Sequence, residues 1–281
     1  MTIRSKKINI NDYVVAIPSY NRSNSIYENT LSVLLKYSVP VRKIYIFLAN
    51  DEELGIYKSV LHKKFHKNMV VGVLGLKNQR NFITHYFPNN TNIVQLDDDV
   101  KEISQLVILN KNGKDVKKFK PIKNLPKFFK HAFKLCRKHK TKLWGIYPVY
   151  NPFFLNNYYT IDLRFIVGPM WGKINDKSKD LKLSIDEKED VERTLLHYDK
   201  FKSVIRFENI SIDTYFYKNK GGMQAENKNR TKEALKSAKY LQKKYPKYGY
   251  IYLKKKSGHP EFKLKDKNDK RPLNVKKIPI K

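Results

Sequence analysis

Three consecutive carboxylates, Asp97-Asp98-Asp99, directly follow the apolar run Asn92–Leu96. Like charges this close repel, so a strand end holds three of them at a cost unless a cation sits there. In an extended segment alternate side chains share a face, so Asp97 and Asp99 are expected to point together and Asp98 away. Such a pair suits a hard divalent ion, Mn²⁺ or Mg²⁺, which takes oxygen ligands and keeps positions open for substrate phosphates. An ion beside phosphates neutralises a departing diphosphate, as in transfer from a nucleotide-sugar. The competing reading is a solvated acidic turn. Arg22, Lys77 and Arg80 fall in loops or helix starts at the same edge. They are either helpers for a diphosphate or ordinary surface cations. Glu189 and Asp190 open an expected helix, where the dipole favours an ionised carboxylate. One of them can accept the proton of an attacking hydroxyl. Asp190 is preferred to Glu189, with Glu192 as an outsider; an acidic first turn is the plain alternative.

The elements that must position these groups are legible in the first hundred residues. Tyr13–Ile17, Lys43–Ala49, Met69–Leu74 and Asn92–Leu96 are short β-branched or apolar runs that predict strands. Between them, Ile26, Val33, Leu34 and Tyr37 recur at helical spacing, with Ser25 and Glu28 at capping-box spacing. Leu54, Tyr57, Leu61 and Phe65 mark a second helix, and Lys77–Phe87 a third, entered through Gly75. Strand and helix in alternation predict an α/β fold, a mostly parallel sheet flanked by helices. In such sheets ligands sit beyond the carboxyl ends of the strands. Ser19–Arg22, Asn50–Glu53 and Asp97–Asp99 all fall at those ends. No Gly-x-Gly-x-x-Gly follows the first strand, and no Gly-Lys-Ser/Thr phosphate loop is present.

The second half is less regular. Strands are expected over Leu163–Val167, Val204–Phe207 and Asp213–Tyr217, and helices from near Glu189 and over Ala234–Tyr245. Gly221-Gly222 reads as a hinge-like loop. Residues 261–281 are expected to form a basic tail, ordered in part.

The 281 residues carry 58 Lys plus Arg against 26 Asp plus Glu, a formal charge of +32. Such a chain attracts polyanions: nucleic acid, anionic membrane or phosphorylated substrates. Lysine outnumbers arginine 48 to 10, and an A/T-rich genome supplies lysine codons without selection for binding. The stretch from Lys111 to Lys142 interleaves lysines with Phe119, Phe128, Phe129 and Phe133. That mixture suits a phosphate backbone with stacked bases, or a core face beneath a solvated one. No apolar run approaches the ~18 residues of a membrane span. The single cysteine, Cys136, excludes an intrachain disulfide and a cysteine-built metal site. The expectation is a soluble, cytoplasmic protein that is not secreted.

IPSYNR (Ile17–Arg22), GLKNQRNFI (Gly75–Ile83), LDDD (Leu96–Asp99) and the later Glu189-Asp190 resemble, in order, the motifs of GT-A glycosyltransferases. The acidic triplet is similar to their DxD metal motif. WGIYPVYNPFF (Trp144–Phe154), VGPMWG (Val167–Gly172), EDVERTL (Glu189–Leu195) and NKGGMQ (Asn219–Gln224) resemble the TET-associated glycosyltransferases of phages and large DNA viruses. The resemblance covers residues 13–260. It implies a single GT-A domain over residues 1–260, with a nucleotide-sugar-binding half (1–100) and an acceptor half (144–260); the basic stretch 101–143 departs from the pattern, longer than a minimal GT-A core needs, and reads as an acceptor-binding insertion. It implies Pro18, Ser19 and Arg22 in the nucleotide pocket and Asp51 or Glu52 at the base or ribose. Lys77 and Arg80 lie along the diphosphate, Asp97 and Asp98 at the donor, and Asp97 and Asp99 at the metal. Trp171 and Gly172 face donor sugar and acceptor, and Gly221 and Gly222 belong to a loop over the donor. Asp190 is the base of an inverting transfer, and His259 is the late-histidine candidate for a metal ligand.

The resemblance further implies transfer of a hexose, glucose, from UDP-glucose to a hydroxymethylated pyrimidine in DNA. Two other readings compete. One is a viral glycosyltransferase acting on a glycan or capsid protein. The other is a non-catalytic GT-A-like module that holds nucleic acid.

Overall fold

The computed structural model describes residues 11–215, 221–222, 229–255, 257–265 and 276–280. Strands β1 (Val14–Pro18), β2 (Ile44–Leu48), β3 (Met69–Val71) and β4 (Asn92–Leu96) run parallel, with β1 between β2 and β4. Helices α1 (Ser32–Lys36), α2 (Asp51–Val60) and α3 (Leu76–Tyr86) make the connections. This is the alternation read from the sequence. The first helix is broken: Tyr27–Leu31 is a π-type turn feeding α1, and the Ser25 hydroxyl donates to the Arg22 carbonyl instead of capping. The second stops at Val60, and a 3₁₀ segment, Lys63–Asn68, carries Phe65 into the core.

Beyond β4 the chain forms β5 (Val100–Lys111), β6 (Lys114–Pro121), α4 (Leu125–Lys138), β7 (Leu143–Ile146), β8 (Tyr158–Asp162) and β9 (Met170–Ile174). Then come α5 (Glu189–Phe201), β10 (Val204–Phe207), β11 (Ile210–Thr214), α6 (Arg230–Lys244), β12 (Gly249–Leu253), β13 (Pro260–Leu264) and β14 (Lys276–Pro279). The central sheet has the order β14-β8-β10-β7-β9-β4-β1-β2-β3. Strands β8 and β9 run against the rest. β11, β5 and β6 form a smaller antiparallel sheet, and β12 pairs with β13.

The basic stretch after Val100 is therefore a hairpin and a helix. Asn112 and Gly113 both have positive φ, 52° and 76°, as a two-residue turn between twisted strands requires. Helix α4 starts at the Asn124 cap, whose side chain accepts from the Lys127 N–H. It turns Phe129 and Phe133 inward against Trp144, which is fully buried. Burying each such ring contributes about 1.5–3 kcal/mol, so these phenylalanines belong to the core and the lysines between them to the solvated face.

Two expected strands are displaced. Leu163–Val167 is not a strand: Leu163 packs against α5 and α6, and Ile166 against Trp171. The Ile166 peptide groups are met by Thr194 Oγ1 and the Arg193 guanidinium of α5, not by a neighbouring strand. The apolar pattern there reflects burial without pairing. β11 begins earlier than Asp213, and Phe216 and Tyr217 lie outside the described residues. The expected tail is ordered where it finds partners. β13 completes a hairpin packed on α6, and β14 adds an edge strand to the central sheet beside β8. Among the described residues no helix is long and apolar enough to cross a membrane.

Candidate active site

Two chain segments build the outer part of the site at the carboxyl end of β1. Ser19 is fully buried; its hydroxyl donates to Asp98 Oδ2 at 2.6 Å and lies 2.7 Å from the Tyr57 hydroxyl. The Arg22 N–H donates to that same Tyr57 oxygen at 3.1 Å. One consistent chain of donors thus runs from Arg22 N–H through Tyr57 and Ser19 to the carboxylate of Asp98. The Asn21 N–H donates to Glu53 Oε2 at 2.9 Å, and Asn21 itself takes a positive φ of 55°. Tyr57 and Glu53 were missed by sequence reasoning, which looked to the exposed neighbours Asp51 and Glu52 in the first turn of α2. The available signal was their spacing: i and i+4 put both on the buried face of α2. Pro18 ends β1, buried and in register with Phe47 of β2.

The acidic triplet does not alternate as an extended strand. The chain turns at Asp98–Asp99, so those two share Arg22. Its guanidinium pairs with Asp98 and lies 3.2 Å from Asp99 Oδ2. Asp97 instead pairs with Arg80, 3.1 Å away. The expectation that Asp97 and Asp99 point together and Asp98 away is therefore corrected. Thr30 holds the turn: its hydroxyl donates to the Asp97 carbonyl at 2.7 Å and accepts from the Val100 N–H at 3.0 Å. Burial, reinforced by the charges of Asp97 and Asp98, pushes the Asp99 carboxyl up to about 6. Burial also raises Asp98, against the opposing pull of Arg22 and Ser19. Three carboxylates meet only Arg22 and an Arg80 that also pairs with Glu189, which favours added positive charge, and carboxylate oxygens suit Mn²⁺ or Mg²⁺. No group of three or more His, Cys, Asp or Glu side chains poised to hold a metal ion is assembled among the described residues.

The inner part of the site is a cavity of about 650 Å³. Asp97, Arg80, Gly168, Asp190, Lys188 and His259 are among its lining residues. A Cβ placed on Gly168 would lie 3.7 Å from Asp190 Oδ2 and 3.9 Å from both Asp97 Oδ2 and Arg80 Nη2. The end of β4 and the start of α5 therefore converge here, as the sequence reading requires. Arg80 is fully buried and bridges three groups: Gln95 Oε1 at 3.0 Å, Asp97, and Glu189 Oε1 at 2.9 Å. The other Glu189 oxygen accepts from Arg193 Nη1 at 3.0 Å. Glu189 is thus held between two guanidinium groups, while the Asp190 carboxylate faces the cavity. Burial and the adjacent Glu189 charge push Asp190 up to about 6. Glu192 is directed away, accepting from the N–H groups of Ser184 and Ile185 at 2.8 and 3.1 Å.

The remaining expected residues are placed as follows. Lys77 opens α3 but pairs with Asp186 at 3.0 Å. Trp171 does not face the cavity: it is buried beneath Arg193, whose guanidinium carbon is 3.9 Å from the ring centroid. Nor does Gly172 face it; a Cβ there would come within 2.4 Å of the Trp144 ring, so glycine is needed for packing within the sheet. Gly221 and Gly222 lie on the Ser19–Arg22 loop. The Gly222 N–H donates to the Tyr20 carbonyl at 2.8 Å, and a Cβ on Gly221 (φ 86°) would meet the Asn21 carbonyl at 2.4 Å. The rest of the NKGGMQ motif lies outside the described residues. His259 reaches the cavity from the turn between β12 and β13, beside Lys188 and Glu261, which pair at 2.8 Å.

No family model and no curated protein matches the chain. Solved structures do. The fold is similar to that of the S. aureus TarS fragment 1–349 in complex with UDP-GlcNAc, at TM-score 0.52 and 15% identity. The match covers 82% of this chain and 66% of that one; the chain thus spans just under two thirds of the fragment. The mannosyltransferase PcManGT from Pyrobaculum calidifontis, in complex with GDP-Man and Mn²⁺, aligns at TM-score 0.42 and 13% identity over 73% of this chain and 61% of that one. The chain has the GT-A fold: a large, mostly parallel sheet flanked by helices.

Proposed function

We propose that this protein is a glycosyltransferase that moves a hexose from a nucleotide-sugar to a hydroxyl acceptor. The observation that carries the reading is the convergence of Asp97, Arg80 and Asp190 around Gly168 at the mouth of a GT-A sheet. The TarS fragment, solved with UDP-GlcNAc, supports a nucleotide-sugar as donor. Asp190 is the base. Its carboxylate accepts the proton of the acceptor hydroxyl as that oxygen attacks the anomeric carbon. The bond from that carbon to the diphosphate breaks, and the nucleoside diphosphate leaves with the electron pair. A single displacement of this kind inverts the anomeric centre. Glu189 does not compete for the proton because both its oxygens are engaged by arginines.

Ser19, Arg22 and the neighbouring Pro18 shape the nucleotide side, Asp51 or Glu52 reaches the base or ribose, and Arg80 and Lys77 flank the diphosphate. Asp97 and Asp99, with His259 at the same cavity as Asp97, are the side chains that would hold Mn²⁺ or Mg²⁺, and they are not gathered into one ligand set among the described residues. When bound, that ion supplies positive charge beside the leaving diphosphate.

The acceptor we assign is a hydroxymethylated pyrimidine in DNA, with glucose from UDP-glucose as the sugar. The charge of +32 and the lysine-rich segment after Val100 support a polyanionic acceptor. A 5-hydroxymethyl group lies in the major groove, where it is accessible without opening the duplex. The experiment is incubation of hydroxymethylated DNA with labelled UDP-glucose, UDP-GlcNAc and GDP-mannose in the presence of Mn²⁺. Label on the DNA from the parent and none from Asp190→Asn is the expected result. Label on no DNA from any donor overturns the acceptor, and absence of donor turnover on any acceptor overturns the enzyme.

A further inference from the structure

Strands β5 and β6 continue beyond their pairing with β11. β11 covers β5 only from Val100 to Gln105. From Leu106 to Lys111 the strand pairs with β6 alone, in the register Leu106 with Phe119 to Lys111 with Lys114. Six residues at about 3.3 Å each make a two-stranded arm roughly 20 Å long.

The two faces of the arm differ. Cross-strand partners share a face, so one face carries Leu106, Ile108, Asn110, Asp115, Lys117 and Phe119. Toward its root that face is occupied by the chain itself, while Ile108, Asn110 and Asp115 nearer the tip are exposed. Phe119 stacks on Tyr150 with ring centroids 4.2 Å apart, and Lys117 Nζ donates to the Leu155 carbonyl at 2.6 Å. The other face carries Val107, Leu109, Lys111, Lys114, Val116 and Lys118, with Lys120 at its root. All four of these lysines are exposed. The single acid of the arm, Asp115, lies opposite Asn110 on the face that carries Phe119.

We propose that this free face is a docking arm for duplex DNA, with Lys111, Lys114, Lys118 and Lys120 on the phosphates. The choice of DNA rests on the acceptor reading above. Charge is complementary: four lysines and no carboxylate on one side of the ribbon. Lys118 and Lys120 are about 6.7 Å apart along the strand, close to two base-pair rises of a duplex. A two-stranded ribbon fits the ~12 Å major groove. A single strand is disfavoured on the free face, which presents no aromatic platform: Phe119 is stacked on Tyr150 on the other face, and the exposed Phe153 lies beside that other face, its carbonyl accepting from Lys117. The arm also springs from the cavity wall. Ile212, Asp213 and Thr214 of β11, the partner of β5, line the cavity, and so does Tyr150.

The test compares two variants of the full chain with equal loss of charge. One is Lys111→Ser/Lys114→Ser/Lys118→Ser/Lys120→Ser. The other is Lys58→Ser/Lys63→Ser/Lys64→Ser/Lys67→Ser, on exposed residues of α2 and the 3₁₀ segment. Thermal melts establish that both fold. Affinity for a fluorescent duplex is measured by anisotropy from 50 to 300 mM salt. Each phosphate contact contributes about 0.9 to the slope of log K against log salt. The arm variant is expected to lose about 2 to 4 from that slope, and the control less than about 1. Equal losses in the two variants, or a parent that binds no duplex, overturn the arm. So does tighter binding to anionic lipid vesicles that depends on the same four lysines. Donor turnover by the parent is scored separately, so a failed sugar reaction with an intact arm is distinguishable from a failed arm.

Discussion

Gly168 offers a perturbation that touches the chemistry and spares the fold. It lies in a turn with ordinary φ, and a methyl group there would meet no atom closer than 3.7 Å. Those distances are normal van der Waals contacts, so Gly168→Ala should fold. It is expected to gain about 0.4–1 kcal/mol through the reduced freedom of the unfolded chain. The methyl nevertheless sits between Asp190 Oδ2, Asp97 Oδ2 and Arg80 Nη2. An acceptor oxygen giving its proton to Asp190 must come within about 2.6–3.2 Å of it, and the methyl takes part of that space. A displacement of about 1 Å in reacting groups costs about a hundredfold in rate, equivalent to about 2.7 kcal/mol in the barrier. The assay is steady-state transfer or donor hydrolysis alongside a thermal melt. The expected result is an unchanged or higher Tm with kcat/KM reduced about a hundredfold. A variant as active as the parent would refute the placement of the reacting atoms between Asp97 and Asp190.

Three further outcomes are expected. The Asp190 carboxyl is raised to about 6 from 3.8. A carboxyl raised on folding contributes favourably at pH below its unfolded value, and that contribution is lost as pH rises to the folded one. Ionised at pH 7 it costs up to about 3 kcal/mol, less for the solvent admitted by the cavity. Asp190→Asn should therefore raise the Tm at pH 7 more than at pH 4 while abolishing transfer; a lower Tm at pH 7 contradicts the account. The same group makes parental transfer fall about tenfold per unit below pH 6, since the base is then protonated. Ser19→Ala leaves both Asp98 and the Tyr57 hydroxyl short of a buried partner. It should cost about 1–3 kcal/mol, seen as a Tm lower by about 2–10 °C; an unchanged Tm would show that the buried chain carries no stability.

The first half of the fold was legible because hydrophobic period and turn chemistry agree there: four apolar runs, each followed by a polar cluster at a strand end. The convergence of Asp97 with Asp190 follows from that topology. What was not legible depended on partners distant in sequence. The apolar pattern of Leu163–Val167 is that of a strand, but its peptides are satisfied by Thr194 and Arg193, which no local rule reveals. The side-chain directions of the triplet depend on a turn held by Thr30, nearly seventy residues away. Trp171 and Gly172 occur in a motif that suggests a substrate-facing role, yet their surroundings are Arg193 and Trp144. Glu53 and Tyr57 were hidden behind a more obvious acidic pair, Asp51 and Glu52, in the same first turn of α2 as Glu53. The Asn112-Gly113 pair is a hairpin signal, set among lysines that blur the alternation of the flanking strands.

The central claim is that the carboxylates closing β4 hold a cation with a sugar nucleotide beside them. Titration calorimetry of UDP-glucose, UDP-GlcNAc and GDP-mannose into the protein, with and without Mn²⁺, measures this directly, using the parent and Asp99→Ala. The account expects the parent to bind at least one donor much more tightly with Mn²⁺, and Asp99→Ala to lose that metal-dependent gain while melting as a folded protein. Donor binding in Asp99→Ala with the same metal dependence as the parent, or no donor binding by the parent at all, contradicts it.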